Sequence, residues 1–328
     1  MQEAFKIAPN QPNVLALQGR LLMAQQRNNE ALPFLKELAT RAHDSVLARA
    51  LLGEAYLRLG QTKDARLQLE FALERQPQYV PALALMAKLE LQSGHDEQAL
   101  KYARQIQDTE PDFYMGYELA GNAWVAGKNY TEASIAFARA WDLEPSAKLT
   151  LKLSEASKIS GKPEEATMTL LAWLNDHPDD ARVRQFLGIT YQDMGQNDKA
   201  IEAYEKVLSV QPDNVVALNN LAWLYSLSSD PKALGLAERA YQAYPDNAGI
   251  QDTYGWILVQ QGQADKGRRL LKQAMEKLSE VPEVRYHYAV ALLKSGEKTE
   301  AYKLLNQLLQ SESSFEGRED IQALLDER

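Results

Sequence analysis

The chain has 328 residues, 45% of them apolar, which is enough for a large packed core and excludes a disordered chain. Its formal net charge of −9 argues against a general nucleic-acid binder, which requires a basic face. It has no cysteine, which excludes disulfides, thiol catalysis and zinc–thiolate sites, and no apolar run near 18 residues reads as a membrane span.

The first segment, Met1–Asn10 (MQEAFKIAPN), lacks a basic start and a long apolar stretch, so it does not read as a signal peptide. Ala4 and Pro9 stand at the offsets of the tail of a second helix whose first helix is missing. Residues 1–11 therefore read as the end of a truncated repeat, and the chain as a piece of a longer protein. From Pro12 onward one unit recurs, with starts near Pro12, Val46, Val80, Tyr114, Ala147, Ala181, Val215, Ala248 and Pro282. That predicts nine helix–turn–helix repeats over residues 12–314.

Three ladders share this register. The first is a small residue where two helices cross closely: Gly19, Gly53, Ala87, Gly121, Ser154, Gly188, Ala222, Gly255 and Ala289. The second is a small residue on the following helix, from Ala31, Ala65 and Ala99 through to Gly267 and Ala301. A bulkier side chain at either place would overpack the crossing. The third is a proline that stops the second helix: Pro77, Pro111, Pro145, Pro178, Pro212 and Pro245, spaced 34, 34, 33, 34 and 33 residues apart. Proline lacks the amide hydrogen and drives its predecessor out of the helical region. Gly60, Gly94, Gly161, Gly195, Gly262 and Gly296 occupy one position between the two helices, with Gly127 one residue early, and supply the left-handed residue that ends a helix.

Two units are irregular. The fifth carries Ser154 and Trp173 at small-residue places, and the seventh is one residue short, with Asp230 as N-cap and Pro231 at the first helical position. After the ninth unit, Phe315–Arg328 (FEGREDIQALLDER) reads as a short amphipathic capping helix.

Little in the chain carries chemistry. His43, His95, His177 and His287 fall in four different units without HExxH-type ligand spacing, which predicts solvent-facing or packing side chains and no metal site. No phosphate loop, nucleophile elbow or kinase signature is present, so neither enzymatic activity nor a cofactor is expected. Asn129-Tyr130-Thr131 matches a glycosylation acceptor, but Asn at an inter-helix turn has a simpler conformational reason.

The order Tyr117-x-x-Ala-Gly121-x-x-Trp124, then Ala133-x-x-x-Phe137, then Pro145 resembles the tetratricopeptide repeat superfamily along the whole chain. The resemblance implies an all-α, right-handed superhelical solenoid with its first helices lining a concave groove. In that family repeat positions 2, 5, 9 and 12 face the groove, which here implies a mixed polar floor of Glu118, Asn122, Lys148, Glu155, Arg182, Gln185 and Gln192. Later in the chain the same positions hold Asn219 with Trp223, Asp252 with Trp256, and then Tyr286. Each polar–indole pair is spaced i,i+4, on one helix face. Such a face suits gripping a peptide backbone or stacking a sugar ring; the alternative is that the indoles pack between adjacent units. The carboxylate clamp of co-chaperone repeat domains is not matched, since Arg20 and Asn122 are isolated coincidences with it.

From Val215 onward, ALNNLAWLYS, DPKALGLAERAYQAYPDNAGIQDTYGWILVQQG and VRYHYAVALLKSGEKTEA resemble bacterial repeat lipoproteins that accompany exopolysaccharide production and the PEP-CTERM sorting system. This implies a non-enzymatic scaffold for protein or peptide partners at the periplasmic side of the bacterial envelope, a cytoplasmic site remaining open. Two alternatives are a guide that binds the exported polysaccharide and a non-catalytic targeting arm of a larger enzyme.

Overall fold

The computed structural model describes residues 11–310, 315 and 317–326; the expected remnant of a truncated repeat lies, apart from Gln11, outside the described residues. Those residues form nineteen α-helices and one 3₁₀ turn, with no strand among them. The helices come as successive hairpins: α1 (Pro12–Ala24) with α2 (Asn28–Arg41), α3 (Val46–Arg58) with α4 (Thr62–Arg75), α5 (Val80–Gln92) with α6 (Asp96–Thr109), α7 (Tyr114–Ala126) with α8 (Tyr130–Leu143), and α9 (Ala147–Ile159) with α10 (Pro163–Asp176). They continue as α11 (Ala181–Asp193) with α12 (Asn197–Val210), α13 (Val215–Leu227) with α14 (Lys232–Ala243), α15 (Ala248–Gln260) with α16 (Ala264–Lys277), and α17 (Pro282–Lys294) with α18 (Lys298–Gln310). A 3₁₀ turn (Arg318–Asp320) and α19 (Ile321–Asp326) follow. Two compact units are formed, Met1–Trp173 and Leu174–Arg328.

Local chemistry sets the helix ends. Ser146, Asp180, Asn214 and Asn247 each precede a first helix, and their side-chain oxygens accept from the amides of Leu149, Val183, Ala217 and Ile250. These caps satisfy amides that the helix cannot. Asn129 does the same for Glu132 at the start of α8, which gives that asparagine a structural reason. Between the helices of a hairpin one residue is left-handed: Gly60 at φ 72° and Gly161 at φ 85°, for example, but Lys128 at φ 59° where the glycine is displaced. In the seventh hairpin Ser229 takes this role at φ 56°, and Asp230 Oδ1 accepts from the Lys232 amide at 2.8 Å, so Asp230-Pro231 opens α14. The second helices stop two residues before each proline, with an extended residue between, as at Gln76 (φ −137°, ψ 87°).

Packing explains the small residues. A Cβ at Gly19, Gly53, Gly121, Gly188 or Gly255 would come within 2.3–2.8 Å of the side chain sixteen residues on, namely Leu35, Leu69, Phe137, Tyr204 or Leu271. The hairpin α15/α16 is tighter still, because a Cβ at Gly267 would sit 2.4 Å from the Gly255 carbonyl oxygen. Ser154 fits the same crossing by donating its hydroxyl to the Ala166 carbonyl at 3.3 Å. The core is a string of clusters, each shared by a hairpin and its neighbour; Leu15, Leu35 and Leu51 belong to one, Ala65, Leu69 and Met86 to the next.

The C-terminal helix is shorter than the sequence suggests. Gly317, at φ 90°, breaks the segment, and among its described residues only Ile321–Asp326 is α-helical. Ile321 and Leu325 bury against Leu305 and Leu308 of α18, while the Arg318 guanidinium donates to the carbonyls of Leu308 and Leu309 at 2.9 and 3.0 Å. Carbonyls in the last turn of a helix lack intrahelical donors, and the guanidinium supplies them here.

Candidate functional site

In each unit a cleft is built from first helices alone. In the first unit α3, α5, α7 and α9 line a cleft of about 480 Å³. Glu118 lies at its floor, 7% exposed, and accepts from the Lys148 and Lys152 ammonium groups at 2.6 and 2.8 Å. Lys152 also donates to Asn122 Oδ1 at 2.6 Å. Burial alone would raise the Glu118 carboxyl, but the two ammonium groups outweigh it and hold it below the usual carboxylate range; burial pushes the Lys152 ammonium down. Arg58 is held by Glu54 at 2.7 Å, and Lys88 is exposed beside it, so the lining carries four cations against two carboxylates.

In the second unit Gln192 of α11, Asn219, Asn220 and Trp223 of α13, Asp252 and Thr253 of α15, and Glu283 and His287 of α17 enclose about 240 Å³. A chain of hydrogen bonds fixes one wall. Asn219 Nδ2 donates to Asn220 Oδ1 at 3.2 Å, Asn220 Nδ2 to the Tyr204 hydroxyl at 3.0 Å, and that hydroxyl to Gln192 Oε1 at 3.1 Å. Burial pushes the Tyr204 hydroxyl up to about 12, so it keeps the proton it donates. Asn219 Oδ1 is buried and has no hydrogen-bond partner among the described residues.

His287 forms the opposite wall. It is 5% exposed, and its Nδ1 lies 3.0 Å from both Asp252 oxygens. Its ring stacks on Trp256 with centroids 4.3 Å apart and tilts against Trp223 at 5.6 Å. Of the two places expected for this histidine, solvent or packing, it takes the second, and in packing it joins both indoles. The signal that could have found it is the period: His287 follows Asp252 by one repeat plus one residue, as Lys152 follows Glu118.

The expected groove residues thus separate. Glu118 and Asn122 share the first cleft; Asn219, Trp223 and Asp252 share the second. Trp256 is half-buried beneath His287 and lines neither. Gln185 lines a different cleft of about 460 Å³ with Asn214, Val216 and Tyr244, and Arg182 is exposed. Tyr286 requires a correction: it is 7% exposed, not an open groove aromatic. Phe315 packs 6.0 Å from its ring and the Tyr286 hydroxyl reaches Asp320 Oδ2 at 3.4 Å, so described residues of the C-terminal segment cover it. Burial, with Asp320 alongside, pushes the hydroxyl up to about 12. Trp141, half-buried against the cluster that holds Phe137 and Leu149, donates its indole N–H to Thr150 Oγ1 at 2.9 Å. Among the described residues no three metal-ligating side chains converge, and no helix is long and apolar enough to cross a membrane.

Models of the tetratricopeptide repeat match residues 22–70, 181–214, 203–233 and 258–325, together just over half of the chain. The TPR repeat-containing protein PA4667 of Pseudomonas aeruginosa is 29% identical over 155 residues, which is 44% of this chain and 25% of that protein. Human protein O-mannosyl-transferase TMTC3 is 24% identical over 314 residues, 79% of this chain and 34% of that protein. The chain thus spans between a quarter and about a third of the length of these relatives. Among solved structures, the C-terminal part of a TPR repeat-containing protein from Cytophaga hutchinsonii superposes with a TM-score of 0.59 at 15% identity, covering 73% of this chain and 98% of that one. The APC/C hetero-tetramer Cut9–Hcn1 gives 0.56 at 16%, covering 91% of this chain and 58% of that one. Hairpins closed at small-residue crossings, first helices lining both clefts, and matching repeat models all point the same way: the chain belongs to the tetratricopeptide repeat superfamily.

Proposed function

We propose that this chain is a non-enzymatic scaffold that holds an extended segment of a partner protein along its first helices, with Trp223 as the principal anchor. The observation that carries this reading is the pairing of a half-buried indole with the unpartnered Asn219 Oδ1 in a cleft shared by four successive first helices. A buried acceptor left unsatisfied costs about 1–3 kcal/mol, which a peptide amide would recover. Indoles in such pockets are frequent binding anchors. The clefts offer packing and hydrogen bonds but no nucleophile–base pair within reach of an oxyanion donor, which favours binding over catalysis.

The bacterial envelope, facing the periplasm, is the setting we propose, on the strength of the resemblance of Val215 onward to repeat lipoproteins of exopolysaccharide and PEP-CTERM systems. The polymer itself is the competing ligand for Trp223. A second reading, a targeting arm within a larger enzyme, draws support from the 314-residue match to protein O-mannosyl-transferase TMTC3.

The test is selection of random peptides on the immobilised protein, followed by titration against Trp223→Ala and Asn219→Ala. Selected peptides are expected to lose at least about tenfold in affinity to the Trp223 variant. Equal binding to wild type and both variants removes the cleft from the proposal.

A further inference from the structure

We infer that the cleft of the second unit receives a cationic side chain, lysine or arginine, of the bound partner; this rests on the peptide-scaffold reading and names the chemistry that its anchor site selects. Three observations carry it. The first is charge. Asp252 and Glu283 line the cleft, and no lysine or arginine does. Whether His287 is neutral or protonated, the lining carries one or two net negative charges. Arg285, the cation nearest in sequence to Glu283, is turned away and donates to Gln307 Oε1 of α18 at 3.2 Å.

The second is the direction of the hydrogen bonds. From Asn219 through Asn220 and Tyr204 to Gln192 every link donates away from Asn219, and its carbonyl oxygen is left as a buried acceptor. Together with the Glu283 carboxylate, this makes an acceptor-rich cleft that suits a ligand of donors only. An ammonium or guanidinium is such a group. The third is the indole of Trp223, half-buried at the wall. Tryptophan has the most favourable ring face for a cation, and partial desolvation strengthens the contact. A volume of about 240 Å³ admits one long side chain, not a folded element. The cleft of the first unit has the opposite balance, with four cations in its lining, so acidity is a property of this cleft and not merely of a chain with net charge −9.

Octalysine, octaglutamate, a neutral Gly-Ser octapeptide and maltoheptaose are four probes that separate the possibilities. Each is titrated into the full chain at low and moderate salt, following tryptophan fluorescence and heat. Glu283→Gln is compared with Glu300→Gln, an exposed site on α18 that changes net charge equally. Octalysine is expected to bind, weakening about tenfold or more in Glu283→Gln. In Glu300→Gln the change should stay within about twofold. Circular dichroism confirms that both variants fold. Equal weakening in the two variants means diffuse attraction and overturns the inference. Gly-Ser peptide binding as tight as octalysine overturns the cation preference while leaving the peptide groove intact. Maltoheptaose binding that Trp223→Ala abolishes, with octalysine inert, overturns both this inference and the peptide reading.

Discussion

Glu118 and Lys152 stand 34 residues apart in the chain, and in the fold the lysine ammonium donates to Glu118 Oε1 at 2.8 Å. Lys148 adds a second donor at 2.6 Å, so a carboxylate 7% exposed keeps its charge inside the first unit. Lys152→Met removes one donor from a buried carboxylate and the partner of Asn122 Oδ1, and is expected to cost about 1–3 kcal/mol. Because the Glu118 carboxyl is lowered in the folded chain, its stabilisation is fully present above the unfolded carboxylate value near about 4.3 and is lost as pH falls through the lower folded value. Urea midpoints measured from neutral pH into the acid range should therefore fall more steeply for wild type than for Glu118→Gln. Parallel curves would show that the charge contributes nothing.

Two glycine-to-alanine substitutions should act with opposite signs. Gly121→Ala places a methyl group 2.4 Å from the Phe137 ring and should destabilise by roughly 1–3 kcal/mol, with partial recovery in Gly121→Ala/Phe137→Leu. Gly235 lies exposed within α14, where an added Cβ meets nothing within 4 Å; Gly235→Ala should stabilise by about 0.5–1 kcal/mol. Thermal midpoints of the three variants decide this.

Undocking the C-terminal helix should expose the end of the last cluster. Ile321 is fully buried there, beside Leu305 and Leu308. Ile321→Asp forces an unpaired charge into that contact, and the chain should then self-associate in sedimentation as concentration rises. The Tyr286 hydroxyl, pushed up to about 12 while covered, should move toward its ordinary value near about 10 in the same variant. Ultraviolet titration against Tyr286→Phe isolates that group. An unmoved hydroxyl and a monomeric variant together would rule out this covering role.

Trp223 and Trp256 occupy equal repeat positions but different surroundings. Trp256 lies stacked under His287 and packs on the last cluster, so Trp256→Ala should cost roughly 3 kcal/mol or more. Trp223 lines the cleft, so its truncation should cost less stability and more affinity. Thermal midpoint and peptide titration on the two single variants should rank them in opposite orders.

The helices, their turns and their close crossings were legible because each depends on a few residues at one register. Gly60 and Pro77 mark ends by backbone geometry alone, and Gly121 marks a crossing by the absence of a side chain. The cleft residues were legible only in part. Repeat position identifies the face of a first helix but says nothing about what covers it. Asn219 and Trp223 have later first helices beside them and border open space; Tyr286 has the C-terminal segment over it. His287 was missed for the converse reason. Its partners, Asp252 and the two indoles, come from other helices, and no local pattern around residue 287 announces them.

The pairs sixteen residues apart also bear on how such an array can change by descent. Phe137 and Tyr204, the largest side chains that fill a crossing, both stand opposite a glycine, Gly121 and Gly188. Alanine at either glycine meets a ring, and a smaller residue in place of either ring leaves a void. Each pair is therefore expected to be coupled, a change at one position altering what the other tolerates. A hairpin copied or exchanged whole carries both halves of its crossing with it, whereas recombination within the hairpin would part them. Breakpoints tolerated in evolution, or chosen by an engineer, should fall between hairpins, at the proline-marked turns.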